Sequence, residues 1–159
     1  IVPDCVRAWS KGNKAEIRNP LSTRPWQHVL EPLSGYLSLA LALSQNPDLN
    51  GEAFNFGPSA YQNHTVKELV GEITNYWPDV EWIDKSKKNN PTHEAGLLKL
   101  NCDKALHTLG WKATLDFEEI ARWTGEWYRT FYEKGPKEVA SLTLKQINEY
   151  MVLSQTRNS

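Results

Sequence analysis

Apolar positions follow helical spacing in some stretches of the chain and alternate in others, which predicts helices and short strands in mixed order. Val66, Leu69, Val70, Ile73 and Trp77 keep helical spacing behind Thr65-Val66-Lys67-Glu68. That tetrapeptide is a capping box, in which hydroxyl and carboxylate each satisfy a helix-end N–H. Asp116-Phe117-Glu118-Glu119 opens a second amphipathic helix reaching about Lys134, with Ile120, Trp123, Trp127 and Phe131 on one stripe. Residues 3–11 predict a helix with Pro3 in its first turn and Gly12 past its end, and a last helix is expected over 138–153. Asn101 can cap a short helix that ends at Leu109 before Gly110.

Strands are predicted at 15–18, at 52–56 (EAFNF) before Gly57-Pro58, and at 80–84 (VEWID), with His28-Val29 as a further short extended piece. Glu31 is read as a helix cap with Pro32 at the first helical position, and the helix is stopped by Asn46-Pro47. Over 33–43 this helix carries no charge. A helix apolar all round is buried on all sides, so a second layer outside these residues is expected to cover it. The start on Ile1-Val2-Pro3-Asp4 likewise looks like the middle of something longer.

The length of 159 residues suits one hydrophobic core, and 40% hydrophobic with 23% charged residues is ordinary for a globular protein. A net charge of −1 gives no general field for nucleic acid or an acidic membrane, so an anion must be held by local groups. The most apolar run, 37–43, is far below the roughly 20 residues that span a bilayer. Cys5 and Cys102 lack metal-ligand spacing and are expected as free thiols in a reducing, cytoplasmic setting. No metal cluster, phosphate loop or nucleophile elbow is expected.

Few residue types here invite chemistry. Arg24, beside Pro25 and Trp26, has the planar fork that grips a phosphate or pyrophosphate, although a surface ion pair would use it equally well. His28 reads as a half-buried hydrogen-bonded imidazole, and Asn55 as a turn-capping amide or a ligand contact. His93-Glu94, in the polar stretch KSKKNNPTHEAG, is an acid/base pair by residue type alone. Lys85, Lys87 and Lys88 read as a solvated run.

The blocks RPWQHVLEPLSGYLSLALAL, GEAFNFGP, TVKELVGEI, PTHEAGLLKLNCDKALHTLGW and FEEIARWTGEWY follow one another in that order. Their order resembles the C-terminal half of the extended short-chain dehydrogenase/reductases acting on nucleotide sugars. RPWQHVLEPLSGYL and HEAGLLKL bring the chain nearest the dehydratases that use CDP-sugars. The resemblance implies an α/β fold of mixed short strands and helices that binds substrate but lacks the N-terminal Rossmann domain. Residues 1–135 would form the sugar-nucleotide-binding portion, and 136–159 a helical extension.

By that resemblance Arg24 contacts the substrate pyrophosphate, with Asn55 on the nucleotide side and His93 by the diphosphate. Residues 15–18, with Ile17 and Arg18, border the nucleobase, and the apolar helix packs on the cofactor domain. Asn90 stands where the family loop has arginine and Glu31 where it has aspartate. The first departure leaves a second phosphate-binding cation to be found, with Arg18 and Lys88 as candidates. NAD and the Tyr-x-x-x-Lys pair would lie in the N-terminal half, so no catalytic, cofactor or metal residue is expected here and this chain alone is expected to be inactive. The parent would form a homo-oligomer and serve deoxysugar synthesis for lipopolysaccharide O-antigen. The alternatives are another nucleotide-sugar dehydratase or epimerase of the family, or a non-catalytic sugar-nucleotide-binding module.

Overall fold

The computed structural model describes residues 1–86 and 96–158. Helix α1 (Val2–Trp9) leads through strands β1 (Ala15–Ile17) and β2 (Thr23–Arg24) to helix α2 (Leu30–Gln45). Strand β3 (His64–Thr65), helix α3 (Val66–Thr74) and strand β4 (Trp82–Asp84) follow. Helices α4 (Asp103–Leu109), α5 (Phe117–Lys134) and α6 (Pro136–Arg157) complete the mixed α/β order. β1 pairs parallel with β4, Ala15 opposite Trp82 and Ile17 opposite Asp84. β2 pairs antiparallel with β3, Arg24 opposite His64.

The predicted capping box at Thr65 is formed, and a second one opens α5. Glu68 N–H donates to Thr65 Oγ1 at 3.1 Å while Thr65 N–H donates to Glu68 Oε2 at 2.6 Å. At α5, Glu119 N–H donates to Asp116 Oδ1 at 2.8 Å, and Asp116 N–H donates to Glu119 Oε2 at 3.0 Å. Asn101 Oδ1 accepts from Asp103 N–H at 3.0 Å at the start of α4, and Gly110, at φ 65, closes it in the left-handed region.

The main core gathers Cys5, Val6 and Trp9 of α1, Ala15 and Ile17 of β1, Val66, Leu69, Val70 and Ile73 of α3, and Trp77. The helical spacing behind Thr65 therefore marked a buried face. A second cluster joins Leu115, Ile120 and Trp123 to Tyr150 of α6, and a third joins Phe56, Ala105 and Trp111. Cys5 is buried, Cys102 half-buried, and both are free thiols. Among the described residues, no helix is long and apolar enough to cross a membrane.

Four expectations are corrected. The extended pair is Thr23–Arg24, not His28-Val29; Val29 already has helical backbone angles at the start of α2. Residues 52–56 form no strand among the described residues. Phe56 is buried against Gly35 of α2, where a methyl group would overlap its ring, but no neighbouring strand supplies a ladder. The last helix runs from Pro136 to Arg157, because Arg157 donates to Thr114 O at 2.9 Å and pairs with Glu119, which anchors its final turn.

Glu31 is not a cap. It lies inside α2 and is fully buried. Thr114 N–H (3.0 Å) and Leu115 N–H (2.7 Å) donate to its Oε1, and Tyr150 O–H donates to Oε2 at 2.8 Å. Ser34 Oγ, 2.9 Å from the Tyr150 hydroxyl, accepts from Trp111 Nε1–H at 2.9 Å. This one carboxylate ties α2, α6 and the approach to α5 together. One face of α2 is open: Leu33, Leu37 and Leu41 succeed Val29 at four-residue intervals, with Leu37 74% and Leu41 61% exposed, while Gly35 is buried on the other side.

Candidate anion-binding cleft

Arg24 is positioned by the β2–β3 pair and by the chain that follows the 87–95 stretch. Thr23 N–H donates to Gly96 O at 2.9 Å, drawing residues 96–100 alongside β2. Lower down, Leu100 packs on Gly57 so closely that a Cβ there would lie 2.9 Å from its Cδ1. Asn55 Nδ2–H donates to Asn101 O at 3.1 Å. These contacts leave a shallow cleft lined by Arg24, Pro58, Ser59, Ala60, Gln62, Asn63, Leu98 and Lys99, among others.

The cleft holds two cations and no acidic side chain among its described lining residues. Arg24 is half-buried and donates through Nη1 to Thr23 O at 2.7 Å, which fixes one edge of its guanidinium. Lys99 is exposed and donates to Ala60 O at 3.0 Å. Gln62 donates through Nε2 to Leu115 O at 3.4 Å, while its Oε1 is buried without a partner. The cleft is narrow, about 10 Å³, room for no more than about one water molecule between these groups.

The other expected residues are distributed more widely. Asn55 is exposed and does not line the cleft. Ile17 directs its side chain into the core at 1% exposure, while Arg18, the next residue, is exposed. A groove lined by Asn19, Pro20, Leu21, Trp82, Asp84 and Ser86 follows Arg18 at the ends of β1 and β4. Lys85 is engaged with Glu16 at 3.1 Å. His93, with Glu94, Lys87 and Lys88, lies outside the described residues.

A cavity of about 380 Å³ lies elsewhere and is mostly apolar, lined by residues including Gln27, His28, Leu69, Ile120, Trp127 and Gln146. His28, 8% exposed, meets Trp123 edge-on at 5.6 Å, and burial pulls its pKa down to about 4. It is a neutral structural imidazole at neutral pH. Trp26, despite its polar neighbours, packs against the main core and donates through Nε1 to His64 O at 2.8 Å. Gln27 donates to Phe56 O at 3.1 Å. The hydrogen-bonding residues crowded before α2 therefore fasten neighbouring backbone, and Arg24 alone of them lines the cleft.

Sequence reasoning sought a second cation at Arg18 or Lys88 and passed over Lys99. No short motif marks Lys99; the bond from Thr23 N–H to Gly96 O, three residues before it, is what holds this stretch near Arg24.

No family model matches the chain. It is 36% identical over 156 residues to the CDP-glucose 4,6-dehydratase of Salmonella typhimurium. The match takes in 95% of this chain but 41% of that enzyme's length. Over nearly all of its own length, the chain is thus similar to a part of a CDP-glucose 4,6-dehydratase.

Proposed function

We propose that this chain is the sugar-nucleotide-binding part of an NAD-dependent CDP-glucose 4,6-dehydratase of the extended short-chain dehydrogenase/reductase family. The observation that carries the reading is the 36% identity, over 95% of this chain, to part of a CDP-glucose 4,6-dehydratase. A planar guanidinium is the group best shaped to grip a diphosphate through paired N–H groups. The likeness to an enzyme whose substrate carries a diphosphate supports it. The exposed stripe of α2 supports it too, as a surface for the cofactor-binding part of the parent, which would bury Leu33, Leu37 and Leu41.

The residues of this chain do not fit NAD. No glycine-rich turn joins a strand to a helix among the described residues, and the sequence carries no Tyr-x-x-x-Lys. The role assigned here is binding and orientation: the cleft grips the diphosphate, and the β1–β4 end borders the base. The parent then converts CDP-glucose to CDP-4-keto-6-deoxyglucose and water, a step toward deoxysugars of surface polysaccharide. The test is turnover of CDP-, dTDP-, GDP- and UDP-glucose or mannose by the full-length protein and by the 159-residue chain. Dehydration of CDP-glucose by the full-length protein alone is expected. Turnover by the isolated chain, or preference for another nucleotide, overturns the assignment.

A further inference from the structure

The cavity of about 380 Å³ beside His28 shares no lining residue with the cleft at Arg24. Leu69 and Ile73 of α3, Ile120 and Trp127 of α5 and Ile147 of α6 wall it, with 26–30 leading past it into α2. Its volume lies in the range of small-molecule pockets, about 300–1,000 Å³, and a benzene ring needs only about 150 Å³. None of its described lining residues is Asp, Glu, Lys or Arg, and burial keeps His28 neutral at neutral pH. An ion entering here would give up its water with no opposite charge to meet, so the occupant is uncharged.

Two polar side chains of the lining are more than nine-tenths buried and only half paired. His28, 8% exposed, accepts from Leu30 N–H at Nδ1 (3.4 Å), so the neutral ring carries its hydrogen on Nε2. No acceptor among the described residues takes that hydrogen. Gln146, 4% exposed, spends an amide N–H on Trp123 O at 3.0 Å, and no donor among the described residues reaches its Oε1. Neither atom is sealed in. The sealed side-chain atoms without a partner, among the described residues, are Gln27 Oε1, Gln62 Oε1 and Asn158 Oδ1. Thr143, by contrast, is satisfied: its Oγ1 accepts from Trp127 Nε1–H at 2.9 Å and donates to Val139 O at 2.8 Å. The cavity therefore presents one open donor and one open acceptor in an apolar wall, and buried polar groups are normally paired.

We propose that this cavity binds a small uncharged molecule with an apolar body and one hydroxyl, which accepts from His28 Nε2–H and donates to Gln146 Oε1. An ammonium could only donate, a carboxylate could only accept, and a hydrocarbon does neither. The inference does not depend on the sugar-nucleotide reading.

The test is an NMR titration of the full-length protein with phenol, benzene, benzoate and benzylammonium, followed at the indole N–H of Trp127. Wild type, His28→Phe and Thr124→Phe are compared. In the wild type phenol is expected to bind about tenfold more tightly than benzene, the worth of about one net hydrogen bond, and the two ions not to bind. His28→Phe keeps a ring against Trp123 and should bring phenol down to the affinity of benzene. Thr124 lines the cavity, so Thr124→Phe puts a ring into the space and should abolish binding of both. A wild type that phenol leaves unshifted overturns the proposal, because the rest of the parent then closes or fills the cavity. Equal affinity for phenol and benzene, or binding of benzoate, overturns it too, since the buried donor and acceptor would then select nothing. These wild-type comparisons decide the matter even where a variant fails to fold. Phenol binding unchanged in both folded variants would place the molecule elsewhere and overturn it as well.

Discussion

Removing one oxygen atom, in Tyr150→Phe, tests whether the buried carboxylate of Glu31 organises the fold. The Tyr150 hydroxyl donates to Glu31 Oε2 at 2.8 Å, and the carboxylate is 0% exposed, so water neither screens nor replaces the bond. A hydrogen bond to a charged group contributes about 1.5–3 kcal/mol. The substitution keeps the ring packed with Leu115, Ile120 and Trp123, so no cavity cost is added. Glu31 keeps its bonds from Thr114 and Leu115 N–H. A loss of about 2 kcal/mol in urea unfolding is therefore expected for Tyr150→Phe. Glu31→Gln costs more, about 3 kcal/mol, because its amide N–H₂ must face at least one of three donors and leave it unpaired. In the double variant the two losses are expected to fall short of their sum by at least about 1 kcal/mol, as for partners in one network. A Tyr150→Phe loss under about 0.5 kcal/mol, or strict additivity, would refute the account of Glu31 as the shared node.

The same core makes stability depend on pH through His28. Its pKa falls from 6.5 unfolded to about 4 in the fold, by burial, so between these values the unfolded chain binds a proton that the folded chain refuses. Stability should thus fall by up to about 3 kcal/mol as pH drops from about 6.5 to 4, and His28→Gln should flatten that part of the curve. Burial pushes Glu31 upward instead, so its contribution grows as pH falls; an unchanged slope in His28→Gln would assign the dependence elsewhere. The open α2 stripe predicts that the 159-residue chain self-associates, and that Leu37→Lys with Leu41→Glu keeps it monomeric in sedimentation. A monodisperse unmodified chain would count against that surface being meant for burial.

Features whose partners lie within a few residues were legible in the sequence. The Thr65/Glu68 and Asp116/Glu119 boxes close over three residues, and Gly110 needs only its own φ. β1 and β4 were visible as short strand candidates, though nothing local disclosed that they pair in parallel. What escaped was set by distant partners. Glu31 resembles a cap until Leu115, 84 residues on, and Tyr150, 119 residues on, turn it inward. Residues 52–56 alternate like a strand, but Phe56 packs on Gly35 of α2 and no ladder forms beside them among the described residues. Arg24 stood out by its residue type and its neighbours, whereas Lys99 joins it only because Thr23 bonds Gly96. The apolar character of α2 was plain, but Leu37 and Leu41 on it stand exposed where burial on all sides was expected.

The most direct test of the central claim is the affinity of the full-length protein for CDP-glucose with and without Arg24→Ala. Loss of a charge-assisted bidentate contact costs about 1.5–3 kcal/mol, so the dissociation constant should rise by at least about tenfold. Equal affinity in wild type and variant would contradict the assignment of this cleft to the sugar nucleotide.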